Sequence, residues 1–120
     1  MTRSYKDLIV WQKSVALVIE VYKLTESFPR NEQFGLTSQM RRAAVSIPSN
    51  IAEGKLRGHT KECRQFFFIS FGSGGELETQ VEIAKHLYKE KGLDFTKTDS
   101  LLGEVMKMLN KFLSTLEPSA

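Results

Sequence analysis

The sequence predicts an all-α protein that folds as an antiparallel up-down-up-down four-helix bundle. Apolar residues recur at steps of three and four along nearly all of the 120 residues, and the strict alternation of a half-buried strand occurs nowhere. Short breaks rich in glycine, proline or polar residues divide this pattern into helical segments at about 7–26, 34–56, 60–91 and 95–117. Short connections between long amphipathic helices favour antiparallel neighbours, so residues 1–120 are expected to form a single domain.

Composition and charge exclude several classes of protein. Hydrophobic residues make up 41% and charged residues 26% of the chain, which is near the globular average and excludes a disordered chain. The single cysteine, Cys63, cannot form a disulfide within the chain, which argues against a secreted domain held by disulfides. Lys13, Glu20 and Lys23 interrupt the first apolar stretch, so we expect neither a membrane span nor a signal sequence there. The expected compartment is the cytoplasm.

The first helix carries two apolar stripes. One stripe consists of Leu8, Trp11, Val15, Val18 and Tyr22, and the other of Val10, Leu17, Val21 and Leu24. At about 100° per residue, the two stripes lie on different sides of the helix. A helix of an isolated bundle buries only one such face. We therefore assign the first stripe to the core and the second stripe to an interface with another subunit, a core position for the second stripe being the alternative.

The second and third helices each contain residues that disfavour a regular helix. Pro48 lacks a backbone N–H and clashes with the carbonyl four residues earlier, so a kink is expected between Ala44 and Pro48. Three glycines, at positions 72, 74 and 75, interrupt the third helix, and each costs about 1 kcal/mol relative to alanine. They are expected to mark a bend or the close approach of another helix. The predicted core face of the third helix is Phe66, Ile69 or Ser70, Ser73, Leu77, Val81 or Ala84, and Leu87 or Tyr88.

Positive charge concentrates in the middle of the chain. Positions 41 to 64 hold six basic residues and two acidic ones, a net charge of +4 in a chain whose total is only +3. Around the second turn this basic segment comprises Lys55, Arg57, His59, Lys61 and Arg64. Flexible basic side chains at one end of a bundle can contact phosphates, which makes these five residues candidates for nucleic-acid binding. A solvated basic rim is the structural alternative.

A second group of polar residues is expected to hold helices together. It comprises Arg41, Arg42, Asn50, Glu53 and Glu76. Along one helix, positions 42 and 53 are about three turns apart, so each charged side chain needs a partner on a neighbouring helix. We interpret the group as a structural polar network, a binding role for Arg42, Asn50 and Glu53 being the alternative.

The residues needed for catalysis are missing from the sequence pattern. A di-iron bundle needs Glu-x-x-His on two helices, whereas the chain has only His59 and His86, and Ile83 stands three residues before His86. Cys63 has basic neighbours but no orienting group, and a lone helical cysteine is more typical of a small buried side chain. The glycines at 72–75 lack the strand and the Gly-Lys-Ser/Thr of a phosphate-binding loop. We expect no metal, no cofactor and no enzymatic activity.

Residues 41–54 (RRAAVSIPSNIAEG) resemble a known family, as do residues 10–13 (VWQK), 34–39 (FGLTSQ), 72–73 (GS) and 76–80 (ELETQ), whereas Gly74-Gly75 departs from the bulkier helix formers expected in that family. The sequence is similar to the four helix bundle protein family, first noted as reading frames in intervening sequences of bacterial large-subunit ribosomal RNA genes. The resemblance covers nearly the whole chain and implies a ring-like homopentamer. A related branch serves as the accessory protein of diversity-generating retroelements, in which a basic surface engages nucleic acid and a reverse transcriptase.

Two functions remain open at the level of the sequence. The first is a non-enzymatic oligomeric bundle that binds RNA or DNA through its basic surface. The alternative is a protein-only scaffold or accessory subunit without nucleic-acid contact. A reverse transcriptase is a candidate partner by family analogy alone, and no membrane association is expected.

Overall fold

Four α-helices make up most of the computed structural model, which describes residues 4–116. They are α1 (Ile9–Thr25), α2 (Leu36–Arg57), α3 (Thr60–Leu87) and α4 (Thr96–Thr115). Helices α2 and α4 each pack against both α1 and α3. The ion pairs Lys13–Glu104 at 2.7 Å and Glu20–Lys97 at 3.4 Å run in opposite chain directions, as antiparallel helices require. The predicted all-α, up-down-up-down bundle is confirmed.

Short 3-10 turns lie next to three of the four helices, and one of them accounts for the largest difference between predicted and observed helix boundaries, at the end of the third helix. They lie at Tyr5–Asp7, Arg30–Glu32 and Lys89–Lys91, within or just outside the predicted segments 7–26, 34–56 and 60–91. The last of them follows the end of α3 at Leu87, and Gly92 has φ 65°, a left-handed conformation that ends this 3-10 turn. The predicted end of the fourth helix at position 117 lies outside the described residues.

The assignment of the two stripes on α1 was wrong. The stripe predicted as a subunit interface, with Val10 1%, Leu17 0%, Val21 0% and Leu24 9% exposed, is buried in the core of the chain itself. In the other stripe Leu8, Trp11, Val15 and Val18 are only half-buried, and Tyr22 is exposed. The reason is the rotation of α1 about its axis. The side of α1 that faces the other helices is the one that also carries buried Ser14 and Thr25. Both hydroxyls stay inside because they donate to carbonyls of the same helix, those of Trp11 and Val21.

The core face of α3 is shifted by one residue from the predicted face in the first half of the helix. Phe67 is fully buried where Phe66 was predicted, and Gly74 is buried where Ser73 was predicted. Of the alternatives Ile69 and Ser70, Ser70 is buried and Ile69 is 49% exposed. Gly74 explains the shift, because a Cβ at this position would overlap the sulfur of Met106 on α4. One of the three glycines thus marks a close helix approach as predicted, whereas nothing lies within 4 Å of a Cβ added at Gly72 or Gly75.

Helix α2 continues through Pro48, which is buried. Two side chains donate to backbone carbonyls next to the proline. The Ser70 hydroxyl donates to the Ile47 carbonyl at 2.9 Å, and the Asn50 amide donates to the Ser46 carbonyl at 2.8 Å. A hydrogen bond of 2.8 Å between the hydroxyls of Ser46 and Ser73 adds a further polar contact between α2 and α3. Small polar side chains therefore surround the position at which proline removes a backbone donor.

Candidate nucleic-acid interface

The basic segment forms the turn between α2 and α3. Helix α2 ends at Arg57, Gly58 adopts a left-handed conformation with φ 74°, and α3 begins at Thr60. Glycine suits this position because a side chain would strain a left-handed backbone. The two-residue connection brings the end of one helix beside the start of the next, so residues 55–64 share one end of the bundle. We call this surface the basic turn: Lys55, Arg57, His59, Lys61 and Arg64.

The five side chains of the basic turn differ in how far they are engaged. Arg57 pairs with Glu53 at 3.1 Å and with Glu62 at 3.6 Å, and its guanidinium lies 5.1 Å from the centre of the Phe66 ring. Arg64 is half-buried and lies over the Phe68 ring at 4.5 Å. These contacts fix the positions of the two guanidinium groups at this end of the bundle.

The other three side chains of the basic turn are open to solvent. Lys55, His59 and Lys61 are exposed, and within residues 4–116 their side chains make no hydrogen bond or ion pair. A phosphate could therefore contact the two ammonium groups without breaking an existing bond. The turn between α2 and α3 thus places these three side chains together at one end of the bundle, and their role in nucleic-acid binding stays a prediction.

Cys63 lies beneath the basic turn and is only 8% exposed. Burial raises the pKa of the thiol, and the nearby Lys55 charge only partly offsets that rise. The thiol is therefore held in its protonated form, which is the opposite of what an activated nucleophile needs. The geometry supports the interpretation of Cys63 as a small buried side chain.

The five residues predicted as one polar network do not form one. Arg41 donates to the Thr25 hydroxyl at 2.8 Å and to the Tyr22 carbonyl at 3.3 Å, both on α1. The others bond within their own helices: Asn50 to Ser46, Glu53 to Arg57, and Glu76 to Gln80. The side chain of Arg42 is exposed and makes no hydrogen bond or ion pair within residues 4–116.

The contact between α2 and α3 that sequence reasoning missed is made by serines. Ser46 bonds to Ser73, and Ser70 bonds to the backbone of α2. Serines facing each other across two glycine-containing helices would have been the signal, because small side chains allow the helices to approach closely. The prediction relied instead on charged residues, which remain at the surface of the seam between the helices.

The described residues contain no cluster of side chains that could bind a metal ion. Among residues 4–116, no three side chains of the types His, Cys, Asp and Glu lie close enough together to hold one. His59 and His86 are both exposed and lie near opposite ends of α3. Within the same residues, no helix combines the length and the apolar character needed to cross a membrane.

A comparison with protein families identifies the chain. Residues 6–111 match the family described as 23S rRNA-intervening sequence protein. The chain belongs to this family. The match covers all of α1, α2 and α3 and most of α4, and it confirms the resemblance first noted at residues 41–54. No curated protein matches the sequence.

Proposed function

We propose that this member of the family is a non-enzymatic, cytoplasmic protein that assembles with copies of itself and binds RNA or DNA through the basic turn. The observation that carries the proposal is the pair of exposed ammonium groups of Lys55 and Lys61 beside exposed His59, three side chains that make no hydrogen bond or ion pair within residues 4–116. A lone buried thiol fits a reducing compartment. The raised pKa of Cys63 supports a binding role over catalysis, as does the absence, among residues 4–116, of a group of side chains that could hold a metal ion.

Self-association is assigned to the outer face of α3, because the stripe first predicted on α1 lies in the core. Phe68, Ile69 and Ile83 on this face are 46%, 49% and 44% exposed. Gly72 and Gly75 lie between them with open space beyond, so a helix of a second copy could approach closely. We name this surface the outer α3 face. The family resemblance favours five subunits.

Assembly would strengthen a weak site. A single basic turn offers only a few phosphate contacts, and contacts of this kind weaken steeply as salt increases. Several turns held in one ring raise the effective concentration of each site for a strand already bound at another. Binding is therefore expected to be largely independent of nucleotide sequence and to depend on an intact oligomer.

The decisive experiment measures binding of labelled RNA and DNA at two salt concentrations. The variant Lys55→Ala/Arg57→Ala/Lys61→Ala/Arg64→Ala should lose binding at low salt. A matched variant, Lys89→Ala/Lys91→Ala/Lys107→Ala/Lys111→Ala, removes the same charge from other exposed positions and should retain it. Because Arg57 and Arg64 contact Glu53, Glu62 and Phe68, the milder Lys55→Gln/Lys61→Gln variant checks the result without disturbing these contacts.

A protein-only scaffold is the alternative function, and the exposed apolar residues of the outer α3 face favour it as the second candidate. In that case no nucleic acid binds at low salt, or both four-residue variants bind equally. The oligomer is tested separately by light scattering, which should give a mass several times 13.7 kDa. Ile83→Glu should reduce that mass, and a clean monomer for the unmodified protein would refute self-association.

A further inference from the structure

Phe34 is the most exposed large apolar side chain among the described residues. It is 91% exposed and precedes α2, at the end of the bundle opposite the basic turn. Beside it a groove of about 570 Å³ runs between α1 and α2, lined among others by Tyr22, Arg41 and Arg42. An aromatic ring left in solvent beside two guanidinium groups is an unusual arrangement that bundle packing does not explain.

The backbone that carries Phe34 is held from two sides. One carboxylate oxygen of Glu32 accepts from the Leu36 N–H at 3.3 Å, at the start of α2. The other accepts from the Tyr88 hydroxyl at 3.1 Å, just beyond α3. Tyr88 in turn packs its ring against Phe28, with centroids 4.8 Å apart. The exposed ring therefore stands on a segment that is anchored to the rest of the fold.

The two arginines in the groove play different parts. Arg41 is fixed by its hydrogen bonds to Thr25 and to the Tyr22 carbonyl, and it lies 4.4 Å from the centre of the Tyr22 ring. Arg42 is exposed and makes no bond within residues 4–116, so its guanidinium is available to an anion. Gln33 and Ser38 line the same groove with donors and acceptors.

We propose that this groove binds an unpaired nucleotide of single-stranded RNA or DNA, with the base stacked on Phe34 and a phosphate held by Arg42. Aromatic stacking suits any base that is not already stacked in a duplex, and a guanidinium matches a phosphate in shape and charge. The inference rests on the nucleic-acid binding proposed above and adds a substrate class, the unpaired strand. It also adds a second contact site, about 22 Å from the basic turn along α2 at 1.5 Å per residue between positions 42 and 57.

The test compares four probes by fluorescence anisotropy or competition. They are a labelled oligothymidylate of about 12 nucleotides, which is within the range of single-strand site sizes, an abasic strand of the same length, a hairpin duplex, and free thymidine monophosphate. The oligothymidylate should bind more tightly than the abasic strand and the duplex, because only it presents unstacked bases. Thymidine monophosphate should compete weakly, since it lacks the additional backbone contacts of a strand.

Variants at position 34 separate stacking from apolar contact. Phe34→Ala and Phe34→Leu should weaken oligothymidylate binding about 5- to 100-fold, whereas Phe34→Trp should retain it, because only aromatic rings stack on a base. Ile19→Ala is the matched control, since Ile19 is 51% exposed on α1 and lies in neither the groove nor the basic turn. Arg42→Ala should weaken binding and lower the salt slope by about 0.7, the loss of one phosphate contact on a single strand.

The outcomes distinguish this inference from the proposed function. If the abasic strand binds through the basic turn but Phe34→Ala changes nothing, the groove site is refuted and the proposed function stands. If only base-bearing strands bind, and the basic-turn variant binds them normally, the groove stands and the proposed function falls. Equal binding of the mononucleotide and the strand would refute the single-strand assignment. A change in the oligomer mass of Phe34→Ala would show that Phe34 packs against a second copy, which also overturns the inference.

Discussion

The two faces of α3 use similar residues in opposite environments. Phe67 is fully buried against the ring of Phe112, at a centroid distance of 5.3 Å, whereas the next residue, Phe68, is 46% exposed. Gly74 sits against Met106, whereas a Cβ on the adjacent Gly75 would meet nothing within 4 Å. Residue type alone therefore does not tell which part of this helix belongs to the core. Packing within the bundle explains the apolar residues on the inner face of α3. The proposed self-association would explain the exposed apolar residues on the outer α3 face.

The largest expected difference between the faces is at the two phenylalanines. Phe67→Ala should lower the free energy of unfolding by about 3–5 kcal/mol, because it leaves a cavity in the core. Phe68→Ala should cost about 1 kcal/mol or less, mainly through the lost contact with Arg64. Urea unfolding at several protein concentrations measures both. If both substitutions lower the free energy of unfolding equally, and the loss grows with protein concentration, Phe68 is as deeply buried in the oligomer as Phe67 is in the single chain.

The next comparison adds bulk at two adjacent glycines. Gly74→Leu should destabilise the fold by about 1–3 kcal/mol, since α4 must move away to admit the side chain. Gly75→Leu should leave the stability of the single chain unchanged or slightly raised, while the mass of the oligomer falls. Thermal unfolding and light scattering on the same two samples are sufficient. A drop in stability for Gly75→Leu alone would reverse the assignment of the two faces.

A smaller effect is expected for alanine at the open glycines. Gly72→Ala and Gly75→Ala should each raise the free energy of unfolding by about 0.5–1 kcal/mol, because alanine restricts the unfolded chain and favours the helix. Gly74→Ala should gain less, since its Cβ requires the flexible Met106 side chain to move. Denaturant midpoints measured below the assembly concentration resolve these changes. If Gly74→Ala proves the most stabilising of the three, the close contact with α4 does not constrain the helix.

The smallest expected effect concerns the thiol of Cys63, in the first turn of α3. Burial raises the pKa of Cys63 above its ordinary value, so as the pH rises through that value the unfolded chain loses its thiol proton before the folded chain does. The contribution of the thiol to stability is therefore lost gradually as the pH rises above the ordinary thiol range. The measurement is the rate of modification by a thiolate-specific reagent. The control is Asn110→Cys in a Cys63→Ala background, which places a thiol at an exposed position of α4 outside the proposed interfaces and should react faster.

The fold was predictable from the sequence because helical periodicity and chain breaks are local properties. The rotation of each helix about its axis was less predictable. On α1 both stripes are equally apolar, and only packing against the other helices decides that Leu17 is buried and Tyr22 is exposed. On α3 the prediction missed by one residue, because a glycine packed against Met106 carries no hydrophobic signal of its own.

The candidate sites were predictable to different degrees. The basic turn could be located from sequence because charge clusters and glycine turns are both visible there. The polar network could not, since the partners of Arg41 are a hydroxyl and a backbone carbonyl on α1. Phe34 was missed as a surface feature because helical periodicity does not tell whether a single aromatic residue just before a helix is buried or exposed. Its exposure follows from the anchoring of Glu32 to Leu36 and Tyr88, which are remote from each other in sequence.

The two-residue connection between α2 and α3 also has a consequence for how the chain folds. Closing so short a loop loses little chain entropy, and its left-handed glycine already favours the reversal. The hairpin of α2 and α3 can therefore form before the more distant pairing of α1 with α4, whose ion pairs join residues far apart in the chain. The basic turn is thus expected to be among the first parts of the newly made protein to reach its final shape.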